Sequence, residues 1–341
     1  MKKHSFSLIV YLIALTAVMY NCKKGDPLEP DADLVEELTS IKLDTISLTK
    51  PAAVTSTPST VTPSAQATAV AGGIASIAST GTVPATVTTA ANEVKAAIST
   101  AEVTKLATVP TSTIAAVAAG GALPADLKSI LDKASADPKL KAYLPTFTLP
   151  TVAGKAIPAR TGGVDGIAHT DGIDGITASP ECIKKGEDAF NTKKAELDAA
   201  KTTELARVNT AYTTATSSLT AQETSCKNDL PNKYKALRDA AQAAFDKAKK
   251  DLDDAKSILG DEYYTLLGGL NSLALLGNLS TVNSLQSADG KACEALTTAL
   301  RAAADAAKKA NEAAVEANYQ KALKEANDAK TAVIESCHNQ G

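Results

Sequence analysis

Four cysteines constrain this chain more than any other feature. Cys182 and Cys226 are 44 positions apart, and so are Cys293 and Cys337. The surrounding sequence, from Pro180 onward, is dominated by Ala, Lys, Glu, Asp and Leu, a composition suited to long helices. On a continuous helix, members of such a pair lie about 66 Å apart at 1.5 Å per residue. A disulfide needs Cα atoms within about 7 Å, so any bridge must join different helices, one bridge near each end.

Three long helices are expected. Helix A begins after Ser179, a good N-cap with Pro180 at the first helical position. Its stripe runs through Ile183, Phe190, Leu197, Leu205, Tyr212, Leu219 and Cys226, mostly in seven-residue steps. Helix B is expected to restart at Asp229, with Pro231 near its first turn and Leu252, Ala255 and Leu259 on its stripe. Helix C carries Cys293, Leu296, Leu300, Ala303, Ala307, Ala310, Ala314 and Ala317, alternating steps of three and four as a heptad seam does.

Two connectivities satisfy these helices. If B is one long returning helix, A and C run parallel, pairing Cys182 with Cys293 and Cys226 with Cys337. If B breaks near Gly260-Asp261 into a hairpin, A and C run antiparallel, pairing Cys182 with Cys337 and Cys226 with Cys293. The apolar rhythm continues across Gly260 through Leu266, Leu270 and Leu273 and favours the first. The expected fold is therefore all-α: a long, antiparallel, coiled-coil-like three-helix bundle over 180–341, stapled by two disulfides. Close Cys-x₂₋₄-Cys pairs, which zinc sites usually bring, are absent. Disulfides require an oxidising compartment.

Upstream, composition suggests less order. Between Thr45 and Ala91 the only charged residue is Lys50, and Pro51, Pro58, Pro63 and Pro84 interrupt regular structure. Such a segment has little apolar surface to offset ordering entropy, so 22–91 is expected to be a mostly disordered tether with one short helix through Leu34, Leu38 and Ile41. Short helices and a Gly-rich linker are expected over 92–179. One runs from Asn92 to Leu106, one follows Pro124 through Leu127, Ile130 and Leu131, and a last turn is capped by Asp137. Asp165, Asp171 and Asp174 recur in three Asp-Gly-Ile units. Carboxylates can ligate calcium, but EF-hand spacing and a closing Glu are missing, so the segment reads as turns rather than a metal site.

The start of the chain has its own logic. Lys2, Lys3 and His4 precede an apolar run from Leu8 to Met19, followed by Asn21-Cys22-Lys23-Lys24. The run is shorter than the roughly 20 residues of a membrane span but suits the apolar core of a secretory signal over 1–21. With Met19 and Asn21 before Cys22, the pattern resembles a bacterial lipoprotein signal of the relaxed kind found in spirochaetal lipoproteins. The resemblance is confined to about residues 1–22. It implies acylation of Cys22 and attachment to the cell envelope, at the outer membrane, through acyl chains.

Chemistry is sparse elsewhere. The net charge is -3 at pH 7 and no basic patch suggests nucleic acid. Neither a nucleophile elbow, a phosphate-cradling glycine loop nor a His-rich metal motif occurs. His169 and His338 are the only histidines after the signal. No cofactor or catalytic residue is expected. The function expected is non-enzymatic: a membrane-anchored, exported lipoprotein presenting a helical bundle to a protein or host component. The alternative is a periplasmic spacer or envelope assembly factor, with self-association through the alanine seam.

Overall fold

The computed structural model describes residues 29–157 and 180–337. The signal segment, Cys22, and the Asp-Gly-Ile loop with Asp165, Asp171, Asp174 and His169 lie outside them, as does His338. Helix α1 (Ala32–Ser40) is followed by an extended stretch and strands β1 (Ser56–Thr57) and β2 (Thr60–Thr62). Six short helices come next: α2 (Ala65–Thr80), α3 (Ala85–Ala97), α4 (Thr100–Ala107), α5 (Thr111–Ala118), α6 (Ala125–Ala136) and α7 (Pro138–Lys141). Strands β3 (Thr146–Thr148), β4 (Thr151–Val152) and β5 (Lys155–Ala156) precede the long helices α8 (Pro180–Thr216) and α9 (Leu219–Ser336). The all-α expectation holds, with only short strands added.

Helix α9 is interrupted at Gly260, whose φ of 72° and ψ of 163° lie where glycine alone is comfortable. The chain reverses there, so the long helical sequence makes two antiparallel limbs instead of three helices. The expected helix B is the end of the first limb and the start of the second. Nor does the chain restart at Asp229: helix continues through Pro231, and the earlier interruption is at Ser217-Ser218. The disulfides follow the hairpin. Cys182 pairs with Cys337 and Cys226 with Cys293, with Cα separations of 5.9 and 6.0 Å. The favoured pairings Cys182–Cys293 and Cys226–Cys337 are thus incorrect. The apolar rhythm crossing Gly260 misled because Leu252, Ala255 and Leu259 before the break and Leu266, Leu270 and Leu273 after it line the same core.

The chain forms two compact units, each assembled from separate stretches. The first contains described residues 29–51, 180–214 and 304–337. Its limbs pair antiparallel: the Tyr319 hydroxyl donates to Asp198 Oδ1 at 2.5 Å, and Lys201 lies over the Tyr319 ring and pairs with Glu316 at 2.6 Å. Leu38 of α1 is fully buried with Leu197, Tyr319, Ala322 and Ala326. Small residues at 322 and 326 leave room for that added helix.

Beyond α1, the chain is extended, and side chains of the limbs replace a partner strand. Glu204 Oε2 accepts from the Ile46 N–H at 3.4 Å, while Arg207 donates to the Ile46 carbonyl. Asn311 is buried and clasps Thr49 on both sides, accepting from its N–H at 2.8 Å and donating to its carbonyl at 3.0 Å. Asn318 donates to the Asp44 carbonyl at 3.0 Å. Ile46 is buried with Val208 and Val315. This segment satisfies its backbone polar groups through remote amides and charges, a device invisible to composition.

The second unit contains described residues 52–157 and 215–303. Its helices form for local reasons. Ser64 caps α2 by accepting from the Ala67 N–H at 3.0 Å, and Val70, Ile74 and Ile77 give it one buried face. Ser99 and Glu102 form a reciprocal capping box on α4. This box separates α3 from α4, where one helix was expected over Asn92–Leu106. Asp137 caps α7, accepting from the Lys139 and Leu140 N–H groups at 2.8 and 3.0 Å. Buried Leu127, Ile130 and Leu131 put α6 where its spacing placed it.

These short helices and α9 share one core running from Val70 to Leu276. Gly269 is part of the reason: a Cβ there would sit 3.1 Å from Val103 Cγ1 and 3.2 Å from the Val103 carbonyl oxygen. The missing side chain lets α4 rest on α9. Strands β1, β4 and β5 form one antiparallel sheet and β2 pairs antiparallel with β3, joining 56–62 to 146–156. The described part of the expected tether, 29–91, instead forms helices, short strands and an extended stretch, because its apolar side chains bury against α8, α9 and the neighbouring short helices.

Two substitutions test this account. Gly260→Ala forces a side chain into a glycine-only conformation and should lower stability by about 1–3 kcal/mol, read from urea unfolding of the oxidised protein. Asn311→Ala removes two partly buried hydrogen bonds to Thr49, at about 0.5–1.5 kcal/mol each. Hydrogen exchange should then show the Thr49 amide losing protection.

Candidate functional site

Of the candidate site residues read from sequence, only the four bundle cysteines fall within the described structure. They pair as disulfides, with Cys182, Cys293 and Cys337 buried and Cys226 half-buried. Among the described residues no group of three His, Cys, Asp or Glu side chains is placed to hold a metal. No described helix is long and apolar enough to cross a membrane. Tyr263 and Tyr264 pack partly buried against the core of the second unit, and the Tyr264 hydroxyl donates to Asp253 at 2.6 Å.

Two features of the second unit escaped the sequence reading. The first is a buried polar cluster beside the Cys226–Cys293 bridge. Tyr234, fully buried on the first limb, donates to Asp289 Oδ2 at 2.8 Å and shares a 2.5 Å hydrogen bond with the Ser59 hydroxyl. The Ser59 N–H donates to Asp289 Oδ1 at 3.1 Å, and Lys233 pairs with Oδ2 at 2.6 Å. Burial foremost raises the Tyr234 pKa, and Asp289 adds to the effect against the Ser59 hydrogen bond. At Asp289 burial acts upward most strongly, yet Lys233, Tyr234 and the Ser59 N–H together hold the carboxyl below its ordinary value. Each of Ser59, Lys233, Tyr234 and Asp289 finds its partner within the cluster. It is a latch that fixes the strand segment around Ser59 to both limbs.

The second feature is a cavity of about 940 Å³ between α4, α5 and the parts of α9 on either side of Gly260. Ala107, Ile114, Phe245, Leu252 and Gly268 give it apolar walls, and Lys235, Arg238, Asp239, Asp246 and Lys249 bring charge. Most of that charge is spoken for. Lys235 pairs with Asp239 at 2.5 Å and Lys249 with Asp253 at 2.8 Å. The hydrogen bond with Asp253 is the main cause raising the Lys249 pKa, and the same bond chiefly lowers that of Asp253. Asp246 accepts from Gln242 at 2.9 Å.

Arg238 differs, because its partners are amides. It donates to Asn283 Oδ1 at 3.1 Å and twice to Gln286 Oε1 at 2.8 Å. Asn283 in turn donates through Nδ2 to the Val117 carbonyl at 2.8 Å, which turns its oxygen toward the guanidinium. The 3.6-residue spacing of positions 235, 238, 242, 245, 249 and 252 was present in the sequence. Nothing there indicated that α4 and α5 would stand off from that face.

No protein-family model, curated protein or solved structure matches this chain.

The latch predicts a pH dependence with a definite sign. A carboxyl with a depressed folded pKa stabilises fully above its unfolded value, here about 3.8. That contribution is lost as pH falls through the lower folded pKa. Asp289→Asn should destabilise the protein near neutral pH, and the gap from wild type should narrow below pH 3.8. Urea unfolding at a series of pH values checks this.

Proposed function

We propose that the chain is an exported bacterial lipoprotein, held at the cell envelope by acyl chains on Cys22, that presents its helical units to another protein or a host component. The observation that carries this reading is Cys22 at the end of an apolar run behind a basic start. The two disulfides support it, since they fit an oxidising compartment outside the cytoplasm. Several acyl chains on one residue give durable attachment where a single chain gives only marginal binding.

The fold changes how the anchor would act. Glu29, the first described residue, pairs with Lys185, and the Asp31 N–H donates to Ser336 Oγ at 3.3 Å. Both contacts lie next to the Cys182–Cys337 bridge in sequence. Glu29 is seven positions after Cys22, a reach of at most about 25 Å. The Cys182–Cys337 end of the first unit would therefore be held close to the bilayer, with no long tether between. The absence of a nucleophile, metal or cofactor motif in the sequence leaves binding as the best reading of the role.

Detergent phase partitioning tests the anchor. Wild-type protein should enter the detergent phase and incorporate a palmitate analogue, whereas Cys22→Ser should do neither. Detergent partitioning by the serine variant would refute lipidation at Cys22. Proteolysis of intact cells then separates presentation at the surface, where the protein is cleaved, from a spacer role in the periplasm, where it is protected.

A further inference from the structure

We propose that the cavity of the second unit binds a single-headed anionic amphiphile, its anionic group at Arg238 and its apolar body along Phe245, Ile114 and Leu252. Its volume of about 940 Å³ lies within the range of small-molecule sites, roughly 300–1,000 Å³. Charge selects the ligand. Lys235 and Lys249 are each neutralised by a carboxylate, but no carboxylate among the described residues pairs with Arg238. Its three hydrogen bonds all go to side-chain amide oxygens.

A guanidinium has five N–H donors, so Arg238 keeps two without a protein partner among the described residues, and its full charge is uncompensated. Amide partners orient it without neutralising it, as suits a site that reads an anion. Asn283, fixed by the Val117 carbonyl, and Gln286 hold that orientation before any ligand arrives. Arginine also matches carboxylate and phosphate oxygens with paired donors.

Asp246 limits the ligand further. It lies eight residues along the same helix, about 12 Å from Arg238, and no described cation pairs with it. A second anionic group at that end would be repelled, so the fit is one anionic head on an apolar chain. A free fatty acid and a lysophospholipid share this chemistry.

Calorimetric titration of the oxidised protein with dodecanoate, below its micelle concentration, tests the site. Dodecyl maltoside and dodecyltrimethylammonium serve as neutral and cationic controls. Dodecanoate should bind at least about tenfold more tightly than either, as expected for a charge-assisted contact. Arg238→Gln should remove that advantage and leave maltoside binding unchanged, while Arg238→Lys should restore part of it. Ala115 is an exposed residue of the cavity wall, and Ala115→Trp should abolish binding of all three ligands without lowering the thermal midpoint. Lysophosphatidylglycerol in place of dodecanoate distinguishes a lipid from a free fatty acid, and tighter binding of either supports the site. Equal affinity for the three head groups, undiminished dodecanoate binding by Arg238→Gln or Ala115→Trp, or no binding at all would overturn the proposal.

Discussion

Antiparallel pairing of the chain on either side of Gly260 is the constraint on which the remaining structure depends. The reversal needs a backbone conformation that glycine alone adopts readily, and each unit then fastens its two limbs with one disulfide. Equal spacing of the cysteines is the covalent imprint of that reversal: each cysteine meets the one at the matching distance on the other side of Gly260. Cross-linking of this kind contributes about 2–4 kcal/mol per bridge. That is substantial for limbs whose facing side chains include many alanines.

With the limbs fixed, the preceding chain has surfaces to fold on. Its segment before Asn92 is rich in Ala, Val, Thr and Ser, which bury little area each, so the limbs supply much of the surface it packs on. In the first unit α1 and the stretch around Ile46 lie on limb residues; in the second unit α2–α4, α6 and α7 close a core with Leu252–Leu276, and α5 packs on Leu275 and Leu279. Polar residues complete the attachment where apolar area is scarce. Asn311 clasps Thr49 with two partly buried hydrogen bonds, and the Tyr234–Asp289 pair holds Ser59 with buried ones, where an unpaired group would cost about 1–3 kcal/mol.

Much of the helical content was legible from local signals. The capping at Asp137, the spacing of Leu127, Ile130 and Leu131, and the long helical stretch after Pro180 all appear as read. Errors came where distant residues decide. The rhythm through Leu259 and Leu266 is compatible with one helix or with two limbs facing one core, and periodicity cannot separate them. The chain from Thr45 to Ala91 looks unable to fold when judged by its own composition, yet Asn311, Glu204 and Arg207 satisfy it from more than 150 residues away. The cavity beside Arg238 was equally hidden, because its apolar walls come from α4 and α5 as well as from α9. The proposed signal and Cys22 lie outside the described residues, and that proposal rests on a local sequence pattern alone.

The central claim is the antiparallel connectivity, and disulfide mapping tests it most directly. The oxidised protein, alkylated and digested without reduction, should yield linked peptides joining Cys182 to Cys337 and Cys226 to Cys293. Peptides joining Cys182 to Cys293 and Cys226 to Cys337 would require parallel limbs and would contradict the reversal at Gly260.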